Sequence, residues 1–246
     1  MAPFDELADP RLVAGLAARA EERGWDGFFL WDHIRYSAPT RGVADPWIAL
    51  SAVACATERV VLGPLVTPLA RRRVQKLARE TVTLDRLSGG RLVLGAGLGS
   101  DRHGELGSFG EVEDPRERAR LLDQGLERLS LLWGSEFEPP PTQQPRIPIW
   151  LAARWPARRP VRRAARWDGL FPIDLPEPDA LAELDAEVSA QRGPNAGAFD
   201  LVVTNPAGVD QRPWEAAGAT WCLTGFGAQP TLREVREAID AGPQPG

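Results

Sequence analysis

An α/β fold with parallel strands is predicted by three features of the sequence. Helical stripes alternate with short apolar runs along most of the chain. The runs lack polar alternation, as expected of strands covered on both faces, and such an order gives right-handed crossovers. The length of 246 residues suits a single barrel-sized domain over residues 1–246.

Each element has its own local reason. Asp9 and Pro10 provide an N-cap and a first helical position. Leu12, Val13, Leu16, Ala17 and Ala20 form the apolar stripe of that helix, and Gly24 stops it. The run 28–31 reads as a buried strand, and it ends abruptly in Asp32 and His33. Asp45-Pro46 repeats the start signal for a helix over 48–56. A strand then begins at Val60 and runs through Gly63-Pro64 to Thr67. A third helix covers 74–87 and stops at Gly89-Gly90. The short strand 91–95 leads into the glycine-rich stretch 96–100.

Asp114-Pro115 opens a fourth helix with Leu122, Leu126 and Leu129 on one face. Prolines 139–141 and Pro145 mark an extended connection to a strand over 147–152. The second half is weaker: helix 161–165, strand 167–171, helix 179–191, strand 199–204, helix 213–217 and strand 220–223. Thr231 and Glu234 form a capping box for the last helix. The sum is seven strands and eight helices. A closed (β/α)8 barrel needs eight of each, and the strand that should precede Asp9 is missing.

Composition narrows the function. A net charge of −5 gives no electrostatic reason to expect nucleic acid. No apolar segment approaches the ~20 residues of a membrane span. No basic region followed by an apolar stretch opens the chain, so a cytoplasmic protein is expected. Cys55 and Cys222 read as reduced core residues.

Chemistry is expected at the C-terminal ends of parallel strands. His33, one of two histidines, occupies such an end beside Asp32. An imidazole exchanges protons near neutral pH, and Asp32 could orient it or accept a ligand hydrogen bond. The stretch Gly95-Ala96-Gly97-Leu98-Gly99-Ser100 fails as a dinucleotide fingerprint, because Ser100 stands where the third glycine belongs. Two readings of it stay open: backbone that approaches a flat or anionic group, or a tight turn. No metal-ligand spacing and no nucleophile-elbow motif occurs. Arg71-Arg72-Arg73 and the arginines 158–163 match phosphate chemically, but most read as solvated helix faces. Trp31 and Trp150, at strand ends, are the tryptophans best placed to face a ligand.

These stretches together resemble the luciferase-like flavin-dependent oxidoreductases. The resemblance is carried by Gly24-Trp25-Asp26-Gly27 leading to Trp31-Asp32-His33, by Asp45-Pro46-Trp47, and by Ala56-Thr57-Glu58-Arg59-Val60. It continues through Leu62-Gly63, Thr67-Pro68, Ala78-Arg79-Glu80-Thr81 and, most distinctively, Leu87-Ser88-Gly89-Gly90-Arg91 running into Gly95-Ala96-Gly97. Pro148-Ile149-Trp150 and Ala164-Ala165-Arg166-Trp167-Asp168-Gly169 follow. The resemblance implies a (β/α)8 barrel of the luciferase-like type that lacks its first strand here. It implies either a start further upstream or a gap tolerated by homodimerisation.

It also implies a flavin-type cofactor, FMN or the 8-hydroxy-5-deazaflavin coenzyme, acting on a small organic substrate. Leu65, Val66 and Thr67 would pack against the ring beside a cis peptide. Trp31, Gly97, Gly99, Ser100, Ala152, Ala153 and Arg154 would line the ring or its tail. His33 and Asp32 would be the catalytic pair. A monooxygenase using reduced flavin and oxygen is the leading activity implied. Deazaflavin-dependent hydride transfer and a catalytically weak flavin-binding protein are the alternatives.

Overall fold

A computed structural model describes residues 1–194 and 196–243. The chain divides into two compact units. One is built on Met1–Ile147 with Gly227–Gly242, the other on Pro148–Phe226.

In the first unit, α1 (Pro10–Glu22) begins where expected: the Asp9 carboxylate accepts from the Arg11 amide, and Pro10 fills the first position. Val13, Leu16, Ala17 and Ala20 are its buried face. β1 (Gly27–Leu30) pairs in parallel with β2 (Val61–Pro64), and α2 (Pro46–Ala56) connects them. The expected strand from Val60 to Thr67 is two pieces, β2 and β3 (Thr67–Pro68), with a cis Leu65–Val66 peptide between them. That division makes eight strand segments among the described residues where the sequence suggests seven. α3 (Val74–Leu87) leads to β4 (Leu94–Gly97), which pairs with β3. α4 (Pro115–Leu131) has the Asp114 carboxylate at its N-terminus, accepting from the Arg116 and Glu117 amides.

Two glycines set how closely these strands approach. A Cβ at Gly63 would lie 1.9 Å from the Val93 carbonyl oxygen. A Cβ at Gly95 would lie 2.2 Å from the Pro64 carbonyl oxygen. Gly95 is therefore a close-packed strand residue, not a turn. The turn glycine is Gly99, at φ 72°. At the edge of β1, the Met1 nitrogen donates to the Phe29 carbonyl at 2.8 Å, and the Trp31 amide donates to the Met1 carbonyl at 3.0 Å. Met1 thus sits beside β1 as a strand neighbour would.

The second unit holds β5 (Ile149–Arg154), β6 (Gly169–Ile173), β7 (Asp200–Pro206) and β8 (Trp221–Gly225), each parallel to the next. α5 (Arg158–Ala164), α6 (Pro178–Arg192) and α7 (Arg212–Ala216) connect them. α8 (Leu232–Ala241) belongs to the first unit, with both arms of the Thr231–Glu234 capping box formed.

Two expectations about side chains are corrected. Cys55 is exposed on α2 and Cys222 is half-buried, so neither is a core residue. Trp150 is buried, and its indole donates to Asp200 at 3.0 Å within its own unit. A tryptophan packed in that way presents no face to a ligand. No helix among the described residues is long and apolar enough to cross a membrane.

Candidate active site

The end of β1 delivers three consecutive side chains to one region of the first unit. Trp31 is half-buried, Asp32 is enclosed, and His33 keeps 22% of its side chain exposed. The Asp32 carboxylate has no side-chain exposure. It accepts from the Thr67 hydroxyl at 2.8 Å and the Trp47 indole at 3.3 Å. It also accepts from Arg71 Nη2 at 2.7 Å and from Arg72 Nη2 at 2.9 and 2.8 Å. Burying a carboxylate is costly unless charge and hydrogen bonds compensate, and here two guanidinium groups do so.

Arg71 and Arg72 stand at the end of a short 3-10 turn, Leu69–Arg71, directly after β3. Their side chains are 4% and 18% exposed. The reading of the arginine run as a solvated face holds for Arg73, which is exposed, and fails for these two. A run of three like charges gives no periodicity from which to separate inward from outward members.

The carboxylate that meets His33 is not Asp32 but Glu105. Glu105 Oε2 lies 2.7 Å from His33 Nδ1. Its other oxygen accepts from the Ile34 amide at 2.9 Å and from Arg71 Nη1 at 3.0 Å. Burial alone would raise this carboxyl. The hydrogen bond and charge of His33, the Ile34 amide and the Arg71 charge outweigh burial and hold it below the usual carboxylate range. An ionised carboxylate only accepts, so Nδ1 carries the hydrogen and Nε2 is the nitrogen left for chemistry. Sequence reasoning missed Glu105. The only available signal was an acid two residues after the second histidine, in a glycine-rich loop following a strand.

Aromatic rings surround the imidazole. Phe4, Tyr36 and Trp31 have centroids 5.7, 5.1 and 5.8 Å from it. His103 stacks on Tyr36 at 3.8 Å, and its Nδ1 lies 3.0 Å from Ser37 Oγ. Burial, followed by the charge of His33, holds His103 below the ordinary imidazole range. Arg35 Nη1 donates to Ser108 Oγ at 2.8 Å, so loops 34–44 and 101–113 are joined over this end of the unit.

The remaining candidate residues fall in two places. Leu65, Val66 and Thr67 lie between the ends of β1 and β4, since the Leu65 amide donates to the Leu30 carbonyl at 2.7 Å and Thr67 is in register with Ala96. Leu65 and Thr67 are buried, and the Thr67 hydroxyl is committed to Asp32. Val66, Leu98 and Gly99 are half-buried, and Ser100 is exposed. Gly97 ends β4. Trp31, Val66 and Leu98 each keep part of an apolar side chain exposed, whereas Gly97 is buried and Gly99 is half-buried with Pro68 against it. Apolar side chains of this kind suit a flat, largely apolar ring. Ala152, Ala153 and Arg154 belong to β5 in the second unit, where Arg154 is ion-paired with Asp174. Among the described residues no group of three or more His, Cys, Asp or Glu side chains could hold a metal ion.

Comparison with known proteins identifies the family. The family model for luciferase-like monooxygenases matches residues 4–245. An F420-dependent glucose-6-phosphate dehydrogenase of Nakamurella multipartita is 34% identical over 141 residues, covering 53% of this chain and 39% of the relative. The match therefore spans about two-fifths of that relative's length. The crystal structure of monooxygenase RslO1 from Streptomyces bottropensis superposes with a TM-score of 0.69 at 20% identity, over 95% of this chain and 73% of that one. The oxygenating constituent of 3,6-diketocamphane monooxygenase from Pseudomonas putida, in complex with FMN, gives 0.64 at 17% identity, over 79% and 60%. With the α/β architecture and the strand-end site in place, the chain belongs to the luciferase-like monooxygenase family.

Proposed function

We propose that the chain is an oxidoreductase that uses the deazaflavin coenzyme F420 to oxidise a small hydroxyl-bearing molecule, with His33 as its base. The observation that carries this reading is the His33–Glu105 pair. Its Nδ1 is engaged at 2.7 Å, which leaves Nε2 to accept a proton. Removing a hydride from a carbon that bears a hydroxyl requires that the hydroxyl proton leave too, and an imidazole near neutral pH is suited to take it. The coenzyme, when bound, supplies the hydride acceptor. Trp31, Val66, Gly97, Gly99 and Ser100 would hold it, giving an apolar shelf for the ring and a glycine-containing segment for the tail. Glu105 fixes the ring orientation of His33 and stabilises the imidazolium formed when it takes the proton. The F420-dependent relative, more similar in sequence than either superposed structure, supports this choice of cofactor.

A second reading keeps the same site with reduced FMN and oxygen, as a monooxygenase. The superposition on RslO1 favours it. Absorbance titration of the purified protein with F420 and then with FMN separates the two. Bleaching of F420 under anaerobic conditions by a panel of small alcohols is expected for the wild type. His33→Ala should bind F420 with similar affinity and lose the bleaching. FMN binding without F420 binding, with substrate-dependent oxygen uptake, would replace the first reading by the second. Failure to bind either would refute both.

A further inference from the structure

The buried charges around His33 form an alternating chain. Arg72 pairs with Asp32, Asp32 with Arg71, Arg71 with Glu105, and Glu105 with His33. Two carboxylates and two guanidinium groups cancel when His33 is neutral. Arg71 is the link between the halves, since among the described residues it alone pairs with both acids: Nη2 to Asp32 at 2.7 Å and Nη1 to Glu105 at 3.0 Å. Its side chain is 4% exposed, so water screens this interaction little.

We infer that Arg71 is a positioning residue that keeps His33 available as a base, by holding Glu105 and neutralising the charge that Glu105 would otherwise exert on the imidazole. This rests on the proposed role of His33. The reasoning is electrostatic. A carboxylate 2.7 Å from a histidine favours the protonated ring, and a ring already protonated at Nε2 takes no further proton. The fork geometry of a guanidinium lets one side chain satisfy two acids at once, which a lysine ammonium does less well. Other titratable and charged groups stand near: Tyr36 and His103 contact the ring, Arg102 acts on His103, and Arg72 pairs with Asp32, the residue before His33. None of them bonds Glu105.

The test is a proton NMR titration of the two histidines of the chain, assigned with His103→Gln. It needs neither cofactor nor substrate. In Arg71→Gln the midpoint for His33 is expected to move up by roughly one pH unit. Arg71→Lys, which keeps the charge, should stay near wild type. Where Arg71→Gln does not fold, Asp32→Asn with Arg71→Gln and Arg72→Gln removes the three charges that pair with one another, leaves Glu105 unopposed beside His33, loses the same single net positive charge, and should show the same rise. An unchanged or lower His33 midpoint in the folded variant overturns the inference, as does a rise in Arg71→Lys equal to that in Arg71→Gln. A merely structural Arg71 would lower the melting temperature without moving the midpoint. Failure to bind F420 or FMN would refute the proposed function and leave this result readable.

Discussion

Replacing Asp32 by asparagine should unfold this protein far more readily than its nearly isosteric change suggests. The wild-type carboxylate is enclosed and accepts from Arg71, Arg72, Thr67 and Trp47. The substitution would leave two guanidinium groups with one buried anion fewer, and would present an amide where several donors already converge. Breaking a buried ion pair from one side costs about 3–5 kcal/mol, because the remaining charge stays desolvated. For a chain of this size each kcal/mol shifts the melting temperature by roughly 2–4 °C, so a drop of roughly 6–20 °C is expected. Thermal melting and urea unfolding at neutral pH measure it. Adding Arg72→Gln to Asp32→Asn should recover part of the loss, since Arg72 has no other carboxylate partner among the described residues. A single variant within about 1 kcal/mol of wild type would show that the carboxylate is not holding the arginines, and the network argument would fall.

Gly63→Ala should cost about 3 kcal/mol in urea unfolding, because its Cβ would meet the Val93 carbonyl at 1.9 Å, whereas Gly15→Ala in α1, with nothing within 4 Å, should stabilise by about 0.5–1 kcal/mol. Equal effects would contradict the strand packing. The depressed Glu105 carboxyl contributes stability above its unfolded value of about 4.3 and loses it as pH falls through its lower folded value. The urea midpoint of wild type should therefore exceed that of Glu105→Gln at pH 6 and converge with it towards pH 3; a constant gap would refute the assignment. Burial, with the charge of Glu215, pushes the Cys222 thiol up to about 11, so at pH 8 a thiol reagent should find one fast cysteine, the exposed Cys55. Two fast thiols, or a fast phase surviving Cys55→Ser, would be inconsistent with this placement.

The order of elements was legible in the amino-acid sequence, because each element depends on chemistry within one turn or one strand. Asp-Pro pairs open α1, α2 and α4, glycines follow the ends of α1 and α3, and uninterrupted apolar runs mark β1 and β2. His33 was likewise legible as a strand-end residue, and the ordered set of short motifs identified the family that the family model confirms. The break at Leu65–Val66 lay within the stretch where the family resemblance implied a cis peptide, yet the split of the strand into β2 and β3 was not legible. Which charges meet could be read only from the folded chain. His33 and Glu105 are 72 residues apart, and Asp32 and Arg71 are 39 apart. Local periodicity carries no information over such separations. Partners there are selected by the enclosure that β1, the turn after β3 and the loop after β4 create together, where an unpaired charge would be too costly to bury.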